Sequence, residues 1–231
     1  MEFANLQYAL LAAVFALPLH AGAASLYDFN GNLDDSFANG PALVANGGSV
    51  SAGAYVFGPN QGLSLNWSSF DAASYDITLQ FSFTTTGAGA SWRKIVDYNG
   101  RDTDEGLYAF DDHLQFVETA SNTGPEVLIN APFATFAPDQ TLTLRITRDA
   151  GTKVFSAYIN GAQHLSFVDS NERAVFTTPF ANFFLDDIDT SGEFSAGRAD
   201  FIAIGAVPVP AALPLLGSAL GLLGWRNRRR H

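Results

Sequence analysis

Between residues 25 and 205 apolar and polar positions alternate in short runs, and nowhere do they repeat at helical spacing over a helical length. The clearest run is Tyr75 to Thr85. Ile77, Leu79, Phe81 and Phe83 fall on one face, while Asp76, Thr78, Gln80, Ser82 and Thr84 fall on the other. That period of two predicts a half-buried antiparallel strand. Leu142, Leu144 and Ile146 alternate in the same way with Thr141, Thr143, Arg145 and Thr147. Lys153 to Ile159 meets Asn160-Gly161 and returns over Gln163 to Val168, which predicts a two-residue hairpin. A second hairpin is expected where Leu107 to Phe110 and Leu114 to Val117 flank Asp111-Asp112. Weaker strand signals cover Ala42 to Val44, Val50 to Phe57, Leu63 to Trp67 and Trp92 to Tyr98, and Ala181 to Leu185 and Ala199 to Ile204 close the series. Many short strands joined by Gly, Asn and Asp turns predict an all-β fold, a two-sheet antiparallel β-sandwich.

The two ends follow a different pattern. Residues 1–24 read as a secretory signal: an apolar stretch from Tyr8 to Leu19 leads to Ala21-Gly22-Ala23-Ala24, whose small residues suit cleavage by signal peptidase after Ala23 or Ala24. The n-region departs from the usual pattern, with Glu2 and no Lys or Arg. Residues 206–231 form a tripartite tail. Val207, Pro208, Val209, Pro210, Ala211 and Ala212 lead into an apolar transmembrane run over 211–225 and an Arg-rich end over 226–231. The run is shorter than the roughly 20 residues a stable span prefers. Gly217, Gly221 and Gly224 leave one face with little bulk, suited to close helix contact. The arginines place that end in the cytoplasm and everything N-terminal to the span outside. Each proline holds its predecessor in extended geometry, as a processing enzyme requires.

This tail resembles the PEP-CTERM family of bacterial sorting signals in its Val-Pro-x-Pro-Ala form, with Val209 where Glu is typical. The resemblance implies recognition by an exosortase-type transpeptidase and passage through the inner membrane. Delivery to the cell surface or an exopolysaccharide matrix follows from it, as in a biofilm.

Composition narrows the class further. The chain has 231 residues, no Cys and a net charge of -11. Four of its 12 basic residues lie in the tail and one of its 23 acidic residues lies in the N-terminal segment. The domain between carries roughly -14, a field that repels nucleic acid and anionic membranes. Without Cys there is no disulfide, no thiol nucleophile and no thiolate metal site. Divalent cations and neutral sugars remain compatible partners.

Three pieces resemble laminin-G-like, concanavalin-A-like jelly-roll domains. They are Leu26-Tyr27-Asp28-Phe29-Asn30-Gly31-Asn32-Leu33-Asp34-Asp35, Phe155-Ser156-Ala157-Tyr158-Ile159-Asn160-Gly161, and Phe183-Phe184-Leu185-Asp186-Asp187-Ile188 with Phe201-Ile202-Ala203-Ile204. The resemblance spans 25–205 and implies two antiparallel sheets with the first and last strands adjacent in one. Glucanases of this shape carry Glu, Asp and Glu at alternating positions of one strand. Here the alternating positions are Leu185, Asp187, Asp189 and Ser191, so the triad fails.

His113 and His164 are the two His outside the ends, too few for a zinc site without Cys, and no Gly-x-Ser-x-Gly elbow accompanies them. Calcium, which takes hard oxygen ligands, is the metal to expect. One candidate set is Asp28, Asp34, Asp35, Asp186 and Asp187, converging if the first and last strands pair. The other is the loop set Asp97, Asp102, Asp104 and Glu105. Candidate ligand-binding residues are Trp92, Tyr98, Asp102, Asp104 and Tyr108, where aromatics flank the acidic loop; Trp67 is a further aromatic candidate. The expected function is a non-catalytic surface or matrix protein that binds polysaccharide or another surface protein. The alternatives are a glycan-active hydrolase with an atypical site, and a purely structural matrix component.

Overall fold

The computed structural model describes residues 23–84, 92–111, 113–118, 127–130, 136–188, 192–193 and 196–205. The signal, the sorting motif and the apolar tail expected at the two ends lie outside these residues, apart from Ala23 and Ala24. No helix among the described residues is long and apolar enough to cross a membrane.

Among the described residues fifteen strands alternate with turns. They are β1 (Ala23–Tyr27), β2 (Val44–Asn46), β3 (Ser49–Ser51), β4 (Ala54–Phe57), β5 (Gly62–Asn66), β6 (Tyr75–Phe83), β7 (Trp92–Asp97), β8 (Gly106–Phe110), β9 (His113–Glu118), β10 (Val127–Asn130), β11 (Leu142–Arg148), β12 (Val154–Ile159), β13 (Ala162–Val168), β14 (Phe180–Phe183) and β15 (Gly197–Gly205). All pairings are antiparallel. One sheet runs β13-β12-β11-β6-β15-β4-β3, with β1 added beside β15; the other runs β10-β9-β8-β7-β14-β5-β2. The chain is therefore an all-β protein of two antiparallel sheets, and the first and last strands pair, with Tyr27 opposite Ile202 and Ala23 opposite Gly205.

The inward faces match the alternation. Ile77, Leu79, Phe81 and Phe83 of β6 and Leu142, Leu144 and Ile146 of β11 are all 3% exposed or less. Aromatic rings fill the space between the sheets: Phe184 stacks on Phe57 at 4.6 Å between ring centroids, and Trp67 meets Phe176 at 4.3 Å. The outward face of β6 is more covered than a half-buried strand predicts. Asp76 is held there by Arg145 at 2.6 Å, and Ser82 is buried, because β6 is a central strand with β11 and β15 on its flanks.

Asn160 (φ 50) and Gly161 (φ 84) form the expected β12–β13 hairpin. The run Val50 to Phe57, read as one strand, is instead a hairpin, because Ala52 (φ 50) and Gly53 (φ 73) turn the chain between β3 and β4. The end of the run Leu63 to Trp67 is also altered: Trp67 leaves β5 and opens a single 3-10 turn, capped by the Asn66 side chain. β10 had no counterpart in the strand pattern.

One carboxylate fastens the N-terminal strand. Asp35 accepts hydrogen bonds from the backbone N–H groups of Leu26 (2.8 Å), Phe37 (3.0 Å), Asn39 (2.8 Å) and Gly40 (2.7 Å). Burial alone would raise its pKa, but the amides outweigh burial and hold the group below the usual carboxylate range. A depressed folded value contributes stability above the ordinary carboxylate pKa, lost as pH falls through the folded one. Asp35→Ala is therefore expected to lower the unfolding free energy by about 2–4 kcal/mol at neutral pH. Urea titrations should show that deficit shrinking toward pH 3.

Candidate functional site

The outward face of the seven-stranded sheet is polar where β7, β8, β14 and β5 meet. Register places Asn182 beside Ser64 on one side and Asp97 on the other, and Lys94 opposite Tyr108. Two loops fold back over this floor: residues 98–105 between β7 and β8, and, between β14 and β15, residues 184–188 with 192–193. Their cover explains why Lys94, Asp97, Tyr108 and Gln115 are at most 2% exposed although they face away from the core.

The floor and the loops are joined by specific bonds. Lys94 Nζ sits 3.3 Å from Asp97 Oδ2, donates to the Thr103 carbonyl at 3.1 Å and lies 5.2 Å from the centre of the Tyr108 ring. Asp97 Oδ1 accepts from the Arg101 amide at 2.8 Å. Arg101 in turn spans to the second loop, donating through Nε to the Asp186 carbonyl at 2.5 Å while its own carbonyl accepts from the Ile188 amide at 3.1 Å. The Asp186 carboxylate organises that loop from inside, accepting from the amides of Asp187, Gly192 and Glu193 at 2.9, 3.1 and 2.9 Å. The Lys94 amide reaches the Glu193 carbonyl at 3.2 Å, and the Tyr108 hydroxyl donates to the Asp104 carbonyl at 3.0 Å.

Three carboxylates meet at the seam. Asp104 from the first loop and Asp187 and Glu193 from the second each present an oxygen within 4.8 Å of the others. Asp187 is 2% exposed, whereas Asp104 and Glu193 are half-buried. Burial pushes the Glu193 pKa up to about 7; the Tyr108 hydroxyl and the Lys94 ammonium oppose the rise, and Asp104 and Asp186 add to it. Its Oε2 is buried without a hydrogen-bond partner. Glu105 at the end of the first loop is also raised by burial, against the Arg173 guanidinium 2.5 Å away. Beside the seam, Trp92 and Phe110 are half-buried and pack at 4.3 Å, with Trp92 edge-on to Tyr108 at 5.5 Å.

The structure distributes the candidates as follows. Asp187 and Asp104, drawn from the two different acidic sets, come together with Glu193, a residue that neither set contained. Asp186 lies behind them as a loop organiser. Asp28, Asp34 and Asp35 do not join this group: Asp35 is consumed by amides, Asp28 accepts from Asn30 and Asp34 is exposed. Asp102 is exposed on the first loop. Tyr98 and Trp67 are core residues, 0% and 2% exposed, so neither offers a platform to a ligand. Tyr108 is covered by the loops, and Trp92 alone of the aromatic candidates keeps a partly open face. His113 and His164 are half-buried strand residues. Asp189 and Ser191 lie outside the described residues.

No protein-family sequence model matches the chain, and no curated protein does. Solved structures do. Domain 4 of AbnA, a GH43 extracellular arabinanase from Geobacillus stearothermophilus solved with arabinotriose, is similar at a TM-score of 0.55 and 16% identity, covering 81% of this chain and 94% of that one. A botulinum neurotoxin type C structure whose description concerns cell entry through two ganglioside molecules is similar at 0.59 and 12%, covering 86% of this chain. The serotype D binding domain is similar at 0.59 and 10%, covering 81%. This chain spans about half the length of each neurotoxin chain. At these identities the likeness shows the fold, a β-sandwich shared with binding domains.

A raised carboxylate has a testable sign. With its folded pKa near 7 and an ordinary value of 4.5, Glu193 favours the folded state below pH 4.5, and that contribution is lost as pH rises through 7. In chelator-treated protein, melting temperature is expected to fall between pH 5.5 and 8. Glu193→Gln should flatten that limb. An unchanged slope would show that Glu193 ionises as an ordinary surface acid.

Proposed function

We propose that this chain is an exported bacterial surface or matrix protein whose β-sandwich binds glycan without turning it over. Calcium assists at the seam of the two loops. The observation that carries this reading is the trio Asp104, Asp187 and Glu193, which bridges both loops beside the half-open Trp92. Calcium binds oxygen at about 2.3–2.6 Å, so two of its ligands lie up to about 5.2 Å apart. The 4.8 Å spread of the trio fits inside that limit. A cation there would add a bridge to the Arg101 bonds that already join the loops, and a sugar ring could then stack on Trp92 while its hydroxyls complete the ion's shell.

Export rests on the sequence of the two ends: signal peptidase would remove residues 1–24, and an exosortase-type enzyme would act at Val207 to Ala212. The shared fold with an arabinotriose-bound domain and with toxin binding domains supports a binding role.

Thermal unfolding of the full chain with and without millimolar calcium tests the cation. Saturation at a hundredfold excess over Kd is expected to stabilise by about 2.7 kcal/mol, with no comparable gain from magnesium. Asp187→Asn should abolish the gain. A calcium-indifferent melting curve would leave the trio as a largely buried loop seam that holds no ion.

One observation favours a hydrolase as the second reading. A carboxyl group with a pKa near 7 stands within 4.8 Å of two others, close to the about 5 Å spacing of retaining glycosidases. Release of reducing ends from arabinan or β-glucan, lost in Glu193→Gln, would establish it over the non-catalytic reading.

A further inference from the structure

The polar row on the outward face of the seven-stranded sheet does not stop under the loops. It continues as a chain of hydrogen bonds to the open edge of the sheet, and each bond fixes the sense of the next. Asp97 is a carboxylate and only accepts, so Asn182 turns its Nδ2 toward it at 3.2 Å. Asn182 Oδ1 then faces Ser64, whose hydroxyl donates to it at 2.7 Å. Having given its proton, Ser64 Oγ accepts from Asn46 Nδ2 at 2.8 Å. Asn46 Nδ2 turns its second hydrogen to the Val44 carbonyl at 3.5 Å, and Oδ1 remains as an acceptor at the sheet edge. Asn66 is oriented independently: its Oδ1 takes the amide and hydroxyl of Ser68 at 3.0 and 2.6 Å, which leaves Nδ2 as a donor.

Two open apolar groups stand beside these polar ends. Register puts Phe180 opposite Asn66 and Val44 opposite Ser64, all on the same outward face. Phe180 is 44% exposed and Val44 57%. Neighbouring strands lie about 4.8 Å apart and next-but-one residues about 6.6 Å along a strand, so the patch measures roughly 10 by 13 Å, the footprint of one to two sugar rings. None of the five side chains Phe180, Asn66, Ser64, Asn46 and Val44 is charged.

We infer that Phe180, Asn66, Ser64, Asn46 and Val44 form a second, cation-independent subsite for a neutral glycan. The Phe180 ring would take the C–H face of a sugar, while Asn66 Nδ2 and Asn46 Oδ1, a donor and an acceptor of fixed sense, would meet its hydroxyls. A donor and acceptor held in place lose little freedom on binding, which is what a weak, open sugar site needs. The uncharged patch on a chain of net charge -11 selects against anionic polysaccharide. This inference rests on the glycan-binding reading and deepens it.

Affinity electrophoresis of the full chain through gels containing linear arabinan, a β-glucan or a galactan tests it, with polygalacturonate as the anionic control. Retardation by at least one neutral polymer is expected to persist in EDTA. Phe180→Ala should weaken that residual binding about five- to tenfold. Asn66→Asp should do the same, because it keeps the cap on Ser68 but removes the donor. Both positions are exposed, and circular dichroism melts of the variants should match the parent. Binding that vanishes in EDTA and ignores both substitutions would overturn the subsite while leaving the cation-assisted reading standing. Failure of every neutral polymer to retard the chain, with calcium present, would overturn both.

Discussion

An ion pair with no exposed side-chain surface, Lys94 with Asp97, holds the functional face together. Burying two charges costs several kcal/mol of lost hydration per ion, so such a pair persists only where further hydrogen bonds satisfy both partners. Here they do. The ammonium also binds the Thr103 carbonyl, and the carboxylate also takes the Arg101 amide and the Asn182 amide group. Those three bonds point in two directions. Thr103 and Arg101 belong to the loop that carries Asp104 to the acidic seam, and Asn182 begins the chain of bonds that ends at Asn46. Removing either charge would strand the other in a dry interior, at about 3–5 kcal/mol. The loss would reach the acidic seam and the open patch alike.

The fold was legible in the sequence wherever period two was clean and a turn signature stood at the end of a run. β6, β11 and the β12–β13 hairpin are of that kind. Errors fell where the turn had no signature on its first residue: Ala52 takes positive φ between β3 and β4, a conformation that propensity assigns to Gly or Asn. The edge strand β10 has only Val127-Leu128-Ile129 to mark it, a run too short to show alternation. The capping role of Asn66, by contrast, was available from an Asn two residues before a Ser, a local signal of a side-chain cap.

The site was legible by residue type and not by partner. Counting carboxylates found Asp104 and Asp187, but assigned them to separate groups, because sequence distance says nothing about two loops folding back across one sheet. Glu193 belonged to neither set; its signal in the sequence is its place beside Gly192 in the stretch that also carries Asp186 and Asp187. Asp35 shows the converse failure. Its neighbours Asp28 and Asp34 suggested an ion, yet four backbone amides already satisfy it, and a carboxylate with four donors has no need of a metal. The aromatic candidates failed for a related reason. Tyr98 and Trp67 lie next to polar loops in sequence while their rings point between the sheets.

Strand β15 sets how this face meets its surroundings. Glu193 precedes Gly197 by four positions, so the strand begins beside the acidic seam and runs away from it along β6. Its last residue, Gly205, pairs with Ala23 of β1 and with Asp76 at the start of β6. Eight residue steps at about 3.3 Å place that point about 26 Å from the start of the strand. Both ends of the described domain therefore emerge together, at the far end of the sheet from the loops. A chain tethered through Val207 and beyond would hold its seam away from the tether, facing outward. The pairing of Ala23 with Gly205 adds an order of events. β15 is the last of the described strands, so β1 gains its partner only once the C-terminal end of the domain is in place. A peptidase acting near Ala23 or Ala24 would find that segment unpaired only before the sheet closes.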